Sequence, residues 1–141
     1  MQSRERGFTL IELITVMILV SIISVTLLSR LGSVNSANLQ AGRDDLIAAL
    51  FFAQQTAMAR SNIQLVLTAN SVSVTENGTP LVVHSNGYPL SFPSGITATP
   101  ISLTYNKLGG IVGASAATTI TLSGSGGLSA SVQLEASGYA H

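Results

Sequence analysis

Few residues in this chain have side chains fit for chemistry, and their spacing limits what that chemistry is. After the first seven positions the acids are Glu12, Asp44, Asp45, Glu76 and Glu135, and the histidines are His84 and His141. Two histidines without neighbouring acids lack the third and fourth ligands that a metal site needs. Asp44 and Asp45 are adjacent, so on a helix they leave from different faces and make no acid–base pair. The acids are also too sparse to furnish the six to eight oxygens of a calcium cage. Serines abound, but none has the histidine and acid partners of a nucleophile. Gly124-Ser125-Gly126-Gly127 lacks the following Lys-Ser/Thr of a phosphate loop and reads as a turn. With no cysteine, disulfides and thiolate metal sites are excluded. No catalytic residue, metal ligand or cofactor is assigned. What remains is Glu12, a carboxylate inside an apolar run.

That run, Phe8 to Leu28, is apolar or small apart from Glu12 and scattered Ser and Thr. Its twenty-one residues extend roughly 32 Å as a helix, about the hydrocarbon thickness of a membrane. Arg4 and Arg6 precede it, so the positive-inside rule places the N-terminus in the cytoplasm and the chain after Leu28 on the far side. Arg30 weakens that contrast without reversing it. A secretory signal peptide has a shorter apolar region and a small-residue cleavage site, whereas this run is longer and leads into SRLGSVNSAN. An acid near the middle of a membrane helix costs roughly 2.5–3.5 kcal/mol on insertion scales. Glu12 lies near the cytoplasmic end, where the cost is smaller. Two accounts of it stand: it snorkels to the interface, helped by the helix dipole, or it awaits a positive partner within the bilayer.

The elements that must position Glu12 follow from periodicity. No proline occurs before Pro80, so nothing forbids the apolar helix from continuing. Leu31, Val34, Leu39, Leu46, Ile47, Leu50, Phe51, Ala57 and Met58 recur at helical spacing, with Gln54, Gln55 and Arg60 off the stripe. A continuous helix from Phe8 to about Arg60 would be roughly 80 Å long. Gly32 and Gly42 are its weak points, each costing about 1 kcal/mol against alanine. After residue 61 the period becomes alternating. Ile63, Leu65 and Leu67 make one strand, Val72 and Val74 a second, and Asn77-Gly78 a hairpin turn. Leu81–Ser85 reads as a third strand, containing His84 and closed by Asn86-Gly87. Ile101, Leu103 and Tyr105 read as a fourth, broken by Asn106–Gly110. Thr118–Ser123 and Leu128–Ala136 read as a terminal hairpin, and Pro89, Pro93 and Pro100 as a connecting loop. The expected class is α+β: one long helix packed against an antiparallel meander.

Only 9% of residues are charged, against about a quarter in an ordinary soluble domain, and 46% are hydrophobic. Six basic residues balance six acidic ones, and beyond the first seven positions no two basic residues are neighbours. There is thus no electrostatic footprint for nucleic acid.

The stretch Arg6-Gly7-Phe8-Thr9-Leu10-Ile11-Glu12-Leu13 resembles the class III leader junction of type IV pilins and type II secretion pseudopilins. The layout of leader, long helix and meander sheet is similar to the pilin fold along the whole chain. The resemblance implies a leader at 1–7, a transmembrane half-helix at 8–28, an amphipathic half-helix at 29–61 and a β-sheet head at 62–141. It implies cleavage by prepilin peptidase between Gly7 and Phe8, methylation of the new Phe8 amine, and a role for Glu12 in docking into a filament. The amine has a reference pKa of roughly 7.7–8.0, so it is largely protonated at neutral pH and can neutralise Glu12 of a neighbouring subunit. The implied partners are prepilin peptidase, other pilin or pseudopilin subunits, the inner-membrane assembly platform and membrane lipid, with no nucleic acid.

Many pilins kink the helix with a proline soon after the membrane span, where this chain has Ser29, so Gly32 is the alternative place for local melting. Some pseudopilins bind calcium in a loop, for which this head has few carboxylates. The helix from Gln40 to Ser61 is similar to minor pilins of the H-type pseudopilin group. The ending Glu135–His141 resembles the tail of minor pilins of the mannose-sensitive haemagglutinin (MSHA) pilus. DNA-uptake members of the group use arginine-rich C-terminal loops, and this chain has no arginine after Arg60. Glu12 also departs from the tip pseudopilin type, which lacks that acid. The resulting expectation is a minor pilin of an MSHA-like pilus. The alternatives are a minor pseudopilin of a type II secretion system and, from another class, a membrane-anchored adhesin or binding module that needs neither cleavage at Gly7 nor Glu12.

Overall fold

The computed structural model describes residues 9–83 and 86–141, with side chains described throughout except at 26–33, 83 and 86. The leader, Gly7, Phe8 and His84 lie outside the described residues. The chain divides between Val34 and Asn35 into two units, to both of which a helix α1, Leu10–Ala59, contributes. The backbone is helical through Gly32 and Gly42.

Among the described residues of the unit 35–141, ten short strands follow the helix: β1 Ile63–Leu67, β2 Ser71–Glu76, β3 Thr79–Pro80, β4 Val82–Val83, β5 Asn86–Gly87, β6 Leu90–Ser91, β7 Thr97–Ala98, β8 Ile101–Thr104, β9 Thr118–Ser123 and β10 Ser129–Leu134. They form one sheet in the order β3-β2-β1-β8 with β6 also on β2, a second in the order β10-β9-β7, and the small pair β4-β5. All pairings are antiparallel. The class is therefore α+β as expected, but the meander is split into sheets. The Pro89–Pro100 connection is not plain loop either, since its short β6 and β7 each stitch it to a different sheet. Asn86-Gly87 does not close a strand as a turn but pairs with Val82–Val83.

Alternation explains why both sheets share a core. Ile63, Leu65 and Leu67 on β1, Val72 and Val74 on β2 and Leu103 on β8 are buried on one face, and Ile120, Leu122, Val132 and Leu134 on β9 and β10 on another. The turn between β2 and β3 is Asn77-Gly78, with φ of 53° and 81°. Positive φ at both central residues gives the hairpin twist that matches the strands.

The helix face that meets these sheets is narrower than the apolar pattern suggests. Leu39, Leu46, Ala49, Leu50, Ala53 and Ala57 are buried, whereas Val34, Phe51 and Met58 are more than half exposed. Small residues decide the seam, because they let the helix backbone approach the strands. Gly42 is the closest case: a Cβ there would lie 3.3 Å from Ile96 Cγ2 and 3.6 Å from Leu122 Cδ2. The helix-propensity cost of this glycine is thus offset by close packing. Gly42→Leu is expected to destabilise the folded chain by about 1–3 kcal/mol through overpacking. Ala41→Leu, on the exposed side, should stay within about 0.5 kcal/mol. Thermal melts of the two variants check this, and equal melting temperatures would refute it.

Candidate assembly site at the N-terminal helix

The start of α1 is set by Thr9. Its carbonyl accepts from Glu12 N at 3.1 Å and Leu13 N at 3.2 Å, and its Oγ1 accepts from Glu12 N at 3.3 Å. Thr9 thus occupies the N-cap position, with Glu12 three residues on. This is the spacing of a capping box, in which the acid would reach back to the cap backbone. Only the threonine half is present: the Glu12 carboxylate is exposed and has no hydrogen-bond or ion-pair partner among the described residues. The Thr-x-x-Glu signal was legible in the sequence, but the apolar run around it draws the eye to the acid alone.

After Glu12 the helix turns apolar on every side. Twelve large apolar residues from Leu10 to Val25 are exposed, from 44% at Ile14 to 76% at Leu10. At about 1.5–3 kcal/mol for each fully covered side chain, covering them is worth on the order of 20 kcal/mol. Among the described residues no helix is long and apolar enough to cross a membrane. The described side chains of the run end at Val25, sixteen residues and about 24 Å from Leu10. The rest of the expected span, Phe8 and the side chains of 26–28, lies outside the described residues.

The hydroxyls in this segment are satisfied within the helix. Thr15 Oγ1 donates to the carbonyls of Ile11 and Glu12 at 3.0 and 2.9 Å, Ser21 Oγ to Met17 O at 2.7 Å, and Ser24 Oγ to Val20 O at 2.7 Å. Back-bonding of this kind lets a hydroxyl enter an apolar medium without an orphaned donor.

The other candidate residues are dispersed. Glu76 pairs with Arg60 at 2.9 Å, and His141 stacks on Tyr139 with ring centroids 5.4 Å apart. The His141 backbone exchanges two hydrogen bonds with Gln133. Asp44 accepts from Gln40 Nε2 at 3.0 Å. Among the described residues no group of three His, Cys, Asp or Glu is placed to hold a metal ion. Burial, and then the charge of Asp44, raises the Asp45 carboxyl above its ordinary 3.8.

Residues 2–28 match the family model described as the prokaryotic N-terminal methylation motif. No curated protein and no solved structure matches the chain. The motif implies a substrate of prepilin peptidase that is membrane-anchored and then assembled among like subunits.

For Asp45, a folded pKa above the unfolded one means that ionisation costs stability. The cost is absent below about pH 4, where both states are protonated, and is full above the folded pKa. Asp45→Asn is expected to stabilise the fold at pH 7 by under about 1 kcal/mol after solvent screening, read as a higher melting temperature. The gain should vanish as the pH falls below about 4. A gain that persists at pH 3 would show that the carboxylate charge is not its cause.

Proposed function

We propose that this chain, whose N-terminal motif supports membership of the type IV pilin and pseudopilin family, is a structural minor subunit of an MSHA-like type IV pilus. On this reading it is cleaved after Gly7 and methylated on the Phe8 amine. A single pass then holds it in the inner membrane, N-terminus cytoplasmic and head periplasmic, until the assembly platform moves it into a filament. Its role is structural rather than catalytic. The observation that carries the reading is a Glu12 carboxylate with no partner among the described residues, placed where an apolar helix begins inside the methylation motif.

The energetics explain why one acid matters so much. The exposed residues Leu10–Val25 are covered by lipid before assembly and by neighbouring helices after it, so the hydrophobic term nearly cancels between the two states. Packing and electrostatics must then supply the preference for the filament. In an apolar surround a Glu12 carboxylate beside the protonated Phe8 amine of a neighbour gains far more than it would in water. The intrahelical hydroxyl bonds of Thr15, Ser21 and Ser24 add no cost to either state. A second reading, a pseudopilin of a type II secretion system, shares all of these steps.

Glu12→Ala is expected to leave membrane insertion intact while lowering the amount of subunit in sheared filaments roughly tenfold or more, equivalent to about 1.4 kcal/mol. Unchanged incorporation would overturn the pairing. Gly7→Glu should block leader removal, giving an intact mass that retains residues 1–7 and lacks the methyl group. A mature mass for that variant would refute the cleavage assignment.

A further inference from the structure

The outward face of the β10-β9-β7 sheet is an ordered array of hydroxyls. Strand register sets its rows. Thr97, Ser123 and Ser129 stand opposite one another on β7, β9 and β10. Thr121 stands opposite Ser131 in the next row, and Thr119 opposite Gln133 in the one after. All of these side chains are exposed, while Ile120, Leu122 and Val132, which alternate with them, are buried in the core. The hydroxyls lie on a grid of about 4.8 Å across the strands and about 6.8 Å along them. None of them is bonded to another described residue, so each is free to donate and to accept.

One end of the array carries two aromatic rings. Tyr139 and His141 stack with centroids 5.4 Å apart and planes inclined by 23°. They alternate with the half-buried Ala140 along an extended tail, so both rings leave on the same side. His141 and Gln133 exchange backbone hydrogen bonds, which sets that side level with the hydroxyl rows. Tyr139 is 60% exposed and leaves one ring face open. The same tail pairing, with Arg43 Nε donating to Ser131 O at 3.3 Å, occupies the outer edge of β10. What the sheet offers there is its face rather than an edge for another strand.

The chemistry of this face selects its partner. Its rows hold no Asp, Glu, Lys or Arg, so a charged polymer finds no counter-charge on them. An apolar partner would strip water from the hydroxyls and leave them unpaired. A sugar ring meets both demands. Its hydroxyls donate and accept as those of serine and threonine do, and its C–H groups suit the negative face of an aromatic ring. We infer that the outward face of β7, β9 and β10 binds an extended neutral polysaccharide of flat, β-linked chains. On this inference the chain lies across the hydroxyl rows, with one sugar ring on Tyr139. A face three strands wide suits such a ribbon, whereas a single terminal sugar is held in a concave site. The inference concerns the 35–141 unit alone and does not depend on the filament reading.

The test is retention on insoluble glycans. Full-length protein, in a detergent without a sugar headgroup, is mixed with microcrystalline cellulose or insoluble xylan and the pelleted fraction is measured. Retention on at least one is expected, and it should persist in about 0.5 M salt, where attraction between charges is screened. Tyr139→Ala should weaken binding roughly fivefold, while Tyr139→Phe, which keeps the ring, should not. Thr119→Val combined with Thr121→Val keeps the β-branched shape without the hydroxyls and should weaken it roughly tenfold. Melting temperatures confirm that each variant is folded. Wild-type protein that stays in solution with both glycans, or is released by salt, would overturn the inference, as would undiminished retention of the folded valine variant. Wild-type oligomers that Thr121→Lys dissociates would assign the face to a protein contact and overturn it equally.

Discussion

A negative charge at the edge of an apolar helix, with no counter-charge among the described residues, is the constraint on which the N-terminal part of this molecule depends. Such a group is tolerable in water but unstable in hydrocarbon unless something positive reaches it. The same helix carries a surface that water does not tolerate. The two demands conflict within a single chain, and they are met together when the apolar surface is covered by neighbours that also bring a cation. On the proposed reading the cation is the amine created by cleavage at the adjacent peptide bond. Processing, membrane residence and polymerisation then become consequences of one unmet electrostatic need.

The 35–141 unit has a different logic. Its core depends on how closely a helix can approach two sheets, and Gly42, Ala49, Ala53 and Ala57 set that distance. Large apolar residues on α1 are therefore not all core residues. Phe51 and Met58 are displaced to the exposed side because the seam is filled by smaller ones. That displacement leaves apolar side chains on the helix surface, beside the Asn106–Gly110 turn and the tail loop that Gln54 ties down through Ser137 O at 3.0 Å.

How much of this was legible in the sequence differs by element. β1, β2, β8 and the terminal hairpin were readable because alternation and Asn-Gly or Gly-rich turns are local signals. The division into sheets was not, since β6 and β7 are two residues each and owe their pairing to distant strands rather than to their own pattern. The helix was readable in extent but misread in face. Hydrophobic size suggested Phe51 and Met58 as core, while backbone proximity, which periodicity does not encode, selected glycine and alanine. At the N-terminus the position of Glu12 was evident. That its carboxylate has no partner among the described residues, with Thr9 alone doing the capping, was not.

The hydroxyls of Thr15, Ser21 and Ser24 fold back onto their own helix carbonyls. Because none of these three bonds reaches outward, none has to break when the surroundings change from acyl chains to protein. On the proposed reading, these three hydroxyls leave the segment free to rotate and slide past its neighbours until the acid finds its mate. Its passage would then be lubricated along the way and latched at one end, a combination that suits a part drawn repeatedly out of one fluid and locked into a solid.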